Sequence, residues 1–283
     1  MALLGTVLAA TALTGASFTA SPVAATGTRY YLALGDSVPV SDGRSSYPYV
    51  IARHYGIPST QVVDIACSGA TTASMISEPP CVSLPGSSAP LTSQLQEAVL
   101  FLQKKRGSVA LVTIDIGGND FLPCVNQIGV SNPTCVKKVE KTTGTNLKSI
   151  LKQLHGAAGS SVSVVGMNYY DPWLGNWLAG GTTKTLTVKG VSTVTSVDAF
   201  FPKTYANFKD SIADVETAFQ TTDLTDLVSS RWGQVPVSVD DACSWLDISC
   251  SAGHLEGFGD DPNKAGAVVI AKAFEKVIGK TLP

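Results

Sequence analysis

At 283 residues the chain suits one large domain or two small ones, and 44% apolar residues are ample for a packed core. Net charge is −2, with 20 basic against 22 acidic side chains and no basic run longer than Lys104-Lys105-Arg106. That balance argues against a phosphate-rich partner, so no nucleic acid is expected.

Residues 1–25 contain no charged side chain; they run apolar from Ala2 to Ala10, then small and hydroxylated to Ala25. This is the pattern of a secretory signal peptide, cleaved after Ala25 with Val23 at −3, although it lacks the usual Lys/Arg n-region. Thr, Ser and Gly interrupt the run before the ~20 apolar residues that a membrane span needs, so no stable membrane insertion is expected. The mature chain, 26–283, is then expected to be a secreted, monomeric single domain.

Apolar runs at 30–34, 62–65, 109–116, 162–167 and 235–239 predict five strands, the third of them fully buried. Two helices between and after them are well marked. Residues 94–106 follow a Ser93…Gln96 capping box, place Leu95, Ala98, Val99 and Leu102 on one face, and end at Gly107. Residues 263–278 place Ala267, Ile270, Ala271, Phe274 and Ile278 on one face. A β-α-β rhythm of this kind predicts a three-layer αβα sandwich around a mostly parallel five-stranded sheet.

Active sites in such sheets lie beyond the carboxyl ends of the strands, and three polar motifs fall there. After the first strand comes Ala33-Leu34-Gly35-Asp36-Ser37, where Gly35 permits a tight turn that exposes the Ser37 hydroxyl. After the second comes Asp64-Ile65-Ala66-Cys67-Ser68-Gly69-Ala70, where Gly69 can bring its N–H close to a ligand oxygen. After the third comes Ile114-Asp115-Ile116-Gly117-Gly118-Asn119-Asp120, which offers the Asn119 amide to a developing oxyanion. Each motif alone is an ordinary glycine turn or helix cap; their order is the informative feature.

The six cysteines fall into close pairs, Cys67/Cys81, Cys124/Cys135 and Cys243/Cys250. Six cysteines permit 15 pairings, but the clustering favours near neighbours, and the C-x-x-C and histidine spacing of a zinc site is missing. With export, local disulfides are the expectation and no metal is expected. Residues 171–200 break the rhythm. Pro172, Trp173, Leu174, Trp177 and Leu178 precede a Thr/Val-rich stretch, 182–195, that would suit a small hairpin. A surface insertion is preferred here over the wall of an acyl pocket.

Gly-Asp-Ser, then a glycine, then Gly-x-Asn-Asp, in this order at strand ends, resembles the SGNH (GDSL) hydrolase superfamily over nearly all of 29–280. The likeness is to its secreted bacterial esterases and lipases with three local disulfides. The resemblance implies an SGNH/flavodoxin-like fold, a Ser37 nucleophile, oxyanion donors from the N–H groups of Ser37 and Gly69 and the Asn119 amide, and no cofactor. The substrate would be a small-molecule or lipid ester.

The fourth block departs from the pattern Asp-x-x-His-Pro-Asn-x-x-Gly. In Phe258-Gly259-Asp260-Asp261-Pro262-Asn263-Lys264-Ala265-Gly266, Asp261 stands where the histidine belongs and Phe258 where its supporting aspartate belongs. Of three histidines, His54 and His155 sit near helix ends and suit structural roles. By elimination His254, in the last loop, is the candidate base. An aspartate lies ~2.6 pKa units below histidine, a deficit of about 3.5 kcal/mol as a proton acceptor near neutrality. Asp260 or Asp261 is therefore expected to orient His254 or, less favourably, to replace it. The alternative from another class is a secreted SGNH-fold binding protein that has lost its base.

Overall fold

The computed structural model describes residues 29–82, 84, 92–159, 162–248, 250 and 261–282. The expected signal peptide, His254 and Asp260 lie outside the described residues.

The chain begins with β1 (Tyr30–Gly35), α1 (Tyr47–His54), β2 (Val62–Asp64), α2 (Thr72–Ser77), α3 (Gln94–Lys104) and β3 (Val109–Asp115). It continues with α4 (Gly118–Phe121), α5 (Pro133–Ala158), β4 (Ser163–Met167), a 3-10 segment (Pro172–Ala179), α6 (Gly181–Asp198), α7 (Phe200–Ala206) and β5 (Ser211–Ala213). The last third holds α8 (Val215–Ala218), β6 (Leu227–Ser230), β7 (Gly233–Pro236), α9 (Val237–Trp245) and α10 (Lys264–Ile278).

Strands β1 to β5 form one parallel sheet in the order β2-β1-β3-β4-β5. Alternation along each strand feeds two cores. Tyr31, Ala33, Leu111 and Val165 pack under the face covered by α1 and α10, whereas Leu32, Leu34, Val112 and Ile114 pack under α3 and α5. Every residue of β3 is buried, as the unbroken apolar run requires of a central parallel strand. The chain turns from β1 outward to β2 and back to β3, so the crevice for a ligand opens between the carboxyl ends of β1 and β3.

Caps explain where the long helices start. Asn132 accepts N–H bonds from Thr134 and Cys135 ahead of α5, and Asn263 accepts them from Ala265 and Gly266 ahead of α10. At α3 the Ser93 hydroxyl accepts the Gln96 N–H, but the Gln96 side chain turns to Thr92 rather than closing the box on Ser93. Disulfides Cys67–Cys81, Cys124–Cys135 and Cys243–Cys250 each join near neighbours and agree with the clustering. Bonds of this kind fit an oxidising compartment.

Two expectations need correction. The run 235–239 is not a strand of the main sheet: β7 pairs antiparallel with β6, and the chain enters α9 at Val237. The fifth strand is instead β5, whose three residues pair with β4. Nor is 182–195 a hairpin; it lies within α6. Thr187, Gly190, Val191, Val194 and Asp198 are its buried face, a helical period that outweighs the β preference of Thr and Val. Gly190 lets α6 approach the backbone at Gly129, since a Cβ there would stand 3.1 Å from the Gly129 carbonyl oxygen.

Candidate active site

Ser37 is half-buried at the carboxyl end of β1, and its carbonyl oxygen receives the Ser41 N–H at 2.9 Å in the turn that follows. Gly35 makes this exit feasible. Its φ of +147° lies in a region open mainly to glycine, and a Cβ there would stand 2.3 Å from Asp115 Oδ1. The buried Gln94 side chain clamps the same peptide, accepting from Gly35 N–H and donating to Gly35 C=O, both at 3.0 Å. Nothing in the motif alone predicts Gln94, because its partner lies 59 residues earlier.

Beneath Ser37, Asp36 is buried and accepts bonds from the Val38 N–H at 3.1 Å and the Tyr169 hydroxyl at 3.0 Å. Burial pushes the Asp36 carboxyl up to about 7; the two donors pull against that shift, and nearby Asp261 adds to it. Asp115, fully buried at the end of β3, is raised well above the usual range by burial and by Asp36, and accepts a bond from the Tyr47 hydroxyl at 3.0 Å.

Asn119 lies in the first turn of α4 beyond β3 and donates its amide to the Ala70 carbonyl at 3.0 Å. An amide carries two N–H bonds, so one remains for a ligand. Asp120 secures the same junction, accepting from the Thr72 N–H at 2.8 Å, the Thr72 hydroxyl and the Thr143 hydroxyl. These bonds fasten the Gly69 loop to the Asn119 turn. Gly69 itself is exposed with φ +76°, and lines a neighbouring cavity with Cys67, Ser68 and Gln94 rather than that of Ser37.

Ser37, Asn119 and Asp261 line one cavity. Its walls are mostly apolar: Val38, Phe121, Leu122 and Val125 on one side, Pro172, Trp173, Val194 and Val197 on the other. The 171–200 stretch, expected to be a surface insertion, is therefore a wall of this cavity. It gets there because the buried face of α6 packs against the 3-10 segment, which presents Trp173.

The fourth block brings Asp261 to the cavity for a structural reason. Asn263 donates its amide to Ser244 C=O at 3.0 Å and its N–H to Trp245 C=O at 2.9 Å, while Pro262 bridges Leu246. Gly266 leaves room for the Trp245 carbonyl, which a Cβ would meet at 2.2 Å. Pro262, Asn263 and Gly266 thus dock the start of α10 on the end of α9.

The two described histidines lie at the other edge of the sheet. His54 closes α1 and faces Glu275 at 3.4 Å; His155, near the end of α5, contacts the Asp210 carboxylate at 2.8 Å and stacks on Phe208. Both helices end where strands begin, opposite Ser37.

An αβα sandwich whose switch-point crevice carries Gly-Asp-Ser and Gly-Gly-Asn-Asp turns is an SGNH-type hydrolase. The model of the GDSL-like lipase/acylhydrolase family matches residues 17–229, and the chain belongs to that family. The fold is similar to that of phospholipase A1 from Streptomyces albidoflavus NA297, with 18% identity over 88% of this chain and 99% of that one and a TM-score of 0.55. It is also similar to a mutant of Axe2, an acetyl-xylooligosaccharide esterase from Geobacillus, with 15% identity over 89% and 95% of the two chains and a TM-score of 0.50. No curated protein sequence matches the chain.

Proposed function

We propose that the protein is a secreted carboxylic-ester hydrolase in which Ser37 is the nucleophile. The observation that carries this reading is that Ser37 and Asn119, at the ends of adjacent strands, open into one apolar-walled cavity. In the proposed reaction Ser37 attacks the ester carbonyl and gives its proton to His254, which passes it to the departing alcohol. The oxyanion takes hydrogen bonds from the Ser37 N–H and the free Asn119 N–H; the Gly69 N–H, which borders the neighbouring cavity, is the third donor by the family resemblance alone. Water then attacks the acyl-serine, the base takes its proton and returns it to the Ser37 oxygen as the acyl C–O bond breaks, and the acid leaves. His254 is assigned by elimination, because His54 and His155 are committed at the opposite edge. The phospholipase and acetylesterase names of the two neighbours support an ester substrate, and the Trp173, Val194 and Val197 wall suits an acyl chain. Three disulfides support export.

A fluorophosphonate probe and a short p-nitrophenyl ester test the reading together. The parent should be labelled at Ser37 and turn over, and Ser37→Ala should lose both, with a fall of up to ~10⁶ in kcat. Turnover by Ser37→Ala within tenfold of the parent sinks the assignment.

The second reading is an impaired or non-catalytic relative, favoured by one observation: Asp261 stands in the cavity where the family has its histidine. It is the better description if the parent neither reacts with the probe nor hydrolyses esters.

A further inference from the structure

Tyr169 follows β4, and no motif singles it out. It nevertheless touches three of the parts that shape the cavity. Its hydroxyl donates to Asp36 Oδ2 at 3.0 Å, one residue before Ser37. Its ring lies over Gly118, one residue before Asn119, so closely that a Cβ on Gly118 would meet ring carbons at 2.9 and 3.0 Å. The Gly118 N–H also faces the phenol oxygen. Its own N–H is held at 3.0 Å by Asp198 Oδ1, the last residue of α6 and part of the cavity wall. Phe201 backs the ring at a centroid distance of 5.5 Å.

We propose that Tyr169 is the positioning residue that holds the Ser37 turn and the Asn119 turn in one fixed relation, with its hydroxyl gripping Asp36 and its ring seated on Gly118. The proposal rests on the ester-hydrolase reading above. The nucleophile and the oxyanion donor come from different strands. The two turns are anchored separately, the Ser37 turn through Gly35 to Gln94 at the start of α3, and Asn119 to Ala70 in the loop beyond β2. The last bond between the two strands is Asp36 N–H to Asp115 C=O at 3.1 Å, and both Ser37 and Asn119 project past it. A rigid aromatic ring with a polar tip spans that gap with few rotatable bonds. Misplacement by about 1 Å in such a constellation costs on the order of 10² in rate.

A ring that only filled space would lose nothing when its hydroxyl is removed. Tyr169→Phe keeps the ring and removes the grip. Its kcat on a short p-nitrophenyl ester should fall about tenfold to a hundredfold with KM within about twofold, because ground-state binding to the apolar wall is untouched. The acid limb of the pH profile should move to higher pH. Asp36 faces Asp115 from β3 and Asp261 ahead of α10, both acidic, and Tyr169 supplies one of the donors favouring its ionised form. Gly118→Ala displaces the ring from the other side and should also lower kcat. The double variant should lose less than the product of the two single losses, as expected for one shared linkage.

Ser37→Ala runs alongside. If it is inactive while Tyr169→Phe matches the parent in kcat and pH profile, the positioning role is wrong and the nucleophile stands. If Ser37→Ala retains parent turnover, the reading beneath the proposal fails first. Should Tyr169→Phe lose its near-UV circular dichroism, Gly118→Ala carries the test, and parent kcat there overturns the proposal.

Discussion

Gly35 and Asp115 end neighbouring parallel strands in register, and the Asp115 carboxyl fills the space that a side chain on Gly35 would need. The glycine of the Ser37 motif is thus required twice, for its backbone angle and for the carboxyl packed against it. Gly35→Ala should therefore destabilise the fold by about 3 kcal/mol or more, since neither the fully buried Asp115 nor the strand can give way. Urea unfolding at neutral pH measures this. A loss below about 1 kcal/mol would mean that the ends of these two interior strands relax more readily than their packing suggests.

Asn119→Ala should lower kcat by on the order of 10²–10³ and affect KM less, because in the proposed reaction its free N–H binds the oxyanion better than the ground-state carbonyl. It should also cost about 1 kcal/mol of stability by leaving the Ala70 carbonyl without its partner. An effect confined to KM would identify Asn119 as an ordinary substrate contact.

The three histidines should separate cleanly. His254→Ala is expected to reduce kcat by several orders of magnitude. His155→Ala should leave kcat unchanged and lower stability by roughly 1–2 kcal/mol, because the partly buried Asp210 carboxylate loses its partner. His54→Ala, whose ring is exposed, should change little. If His254 is dispensable for ester turnover, the base is absent, and Asp261→His should then raise activity.

Stability should depend on pH in an unusual direction. Burial raises Asp36 and Asp171 to about 7 and Asp64 and Asp241 to about 6, from an unfolded value of 3.8. Between about pH 4 and 7 the folded chain therefore holds more protons than the unfolded chain, and stability falls as pH rises through that window. Asp214 and Asp223 are lowered and work the other way, but only below about pH 4. The urea midpoint should be higher at pH 5 than at pH 8, and Asp171→Asn should flatten the difference. A midpoint that rises steadily from pH 5 to pH 8 contradicts the assignment of these carboxyls as buried and raised above their unfolded value.

What the amino-acid order determined by itself was local. The run 109–116 could only be a buried strand, the cap at Ser93 marks a helix start, and clustered cysteines pair with their neighbours. The turns bearing Ser37, Gly69 and Asn119 were legible for the same reason: glycine, serine and asparagine after an apolar run reveal a strand end without reference to the rest of the chain. Tertiary structure decided everything that depends on partners distant in sequence. Three residues suffice for β5 because β4 supplies its hydrogen bonds, too short a segment for periodicity to show. The stretch 181–198 is helical because its buried face packs on the 3-10 segment, against the β preference of its threonines and valines. Gln94 and Tyr169, with no motif around them, reach the Ser37 turn across 59 and 133 residues of chain. One or two hydrogen bonds across such a separation leave no periodic trace in the sequence, since only the folded sheet brings their two ends together.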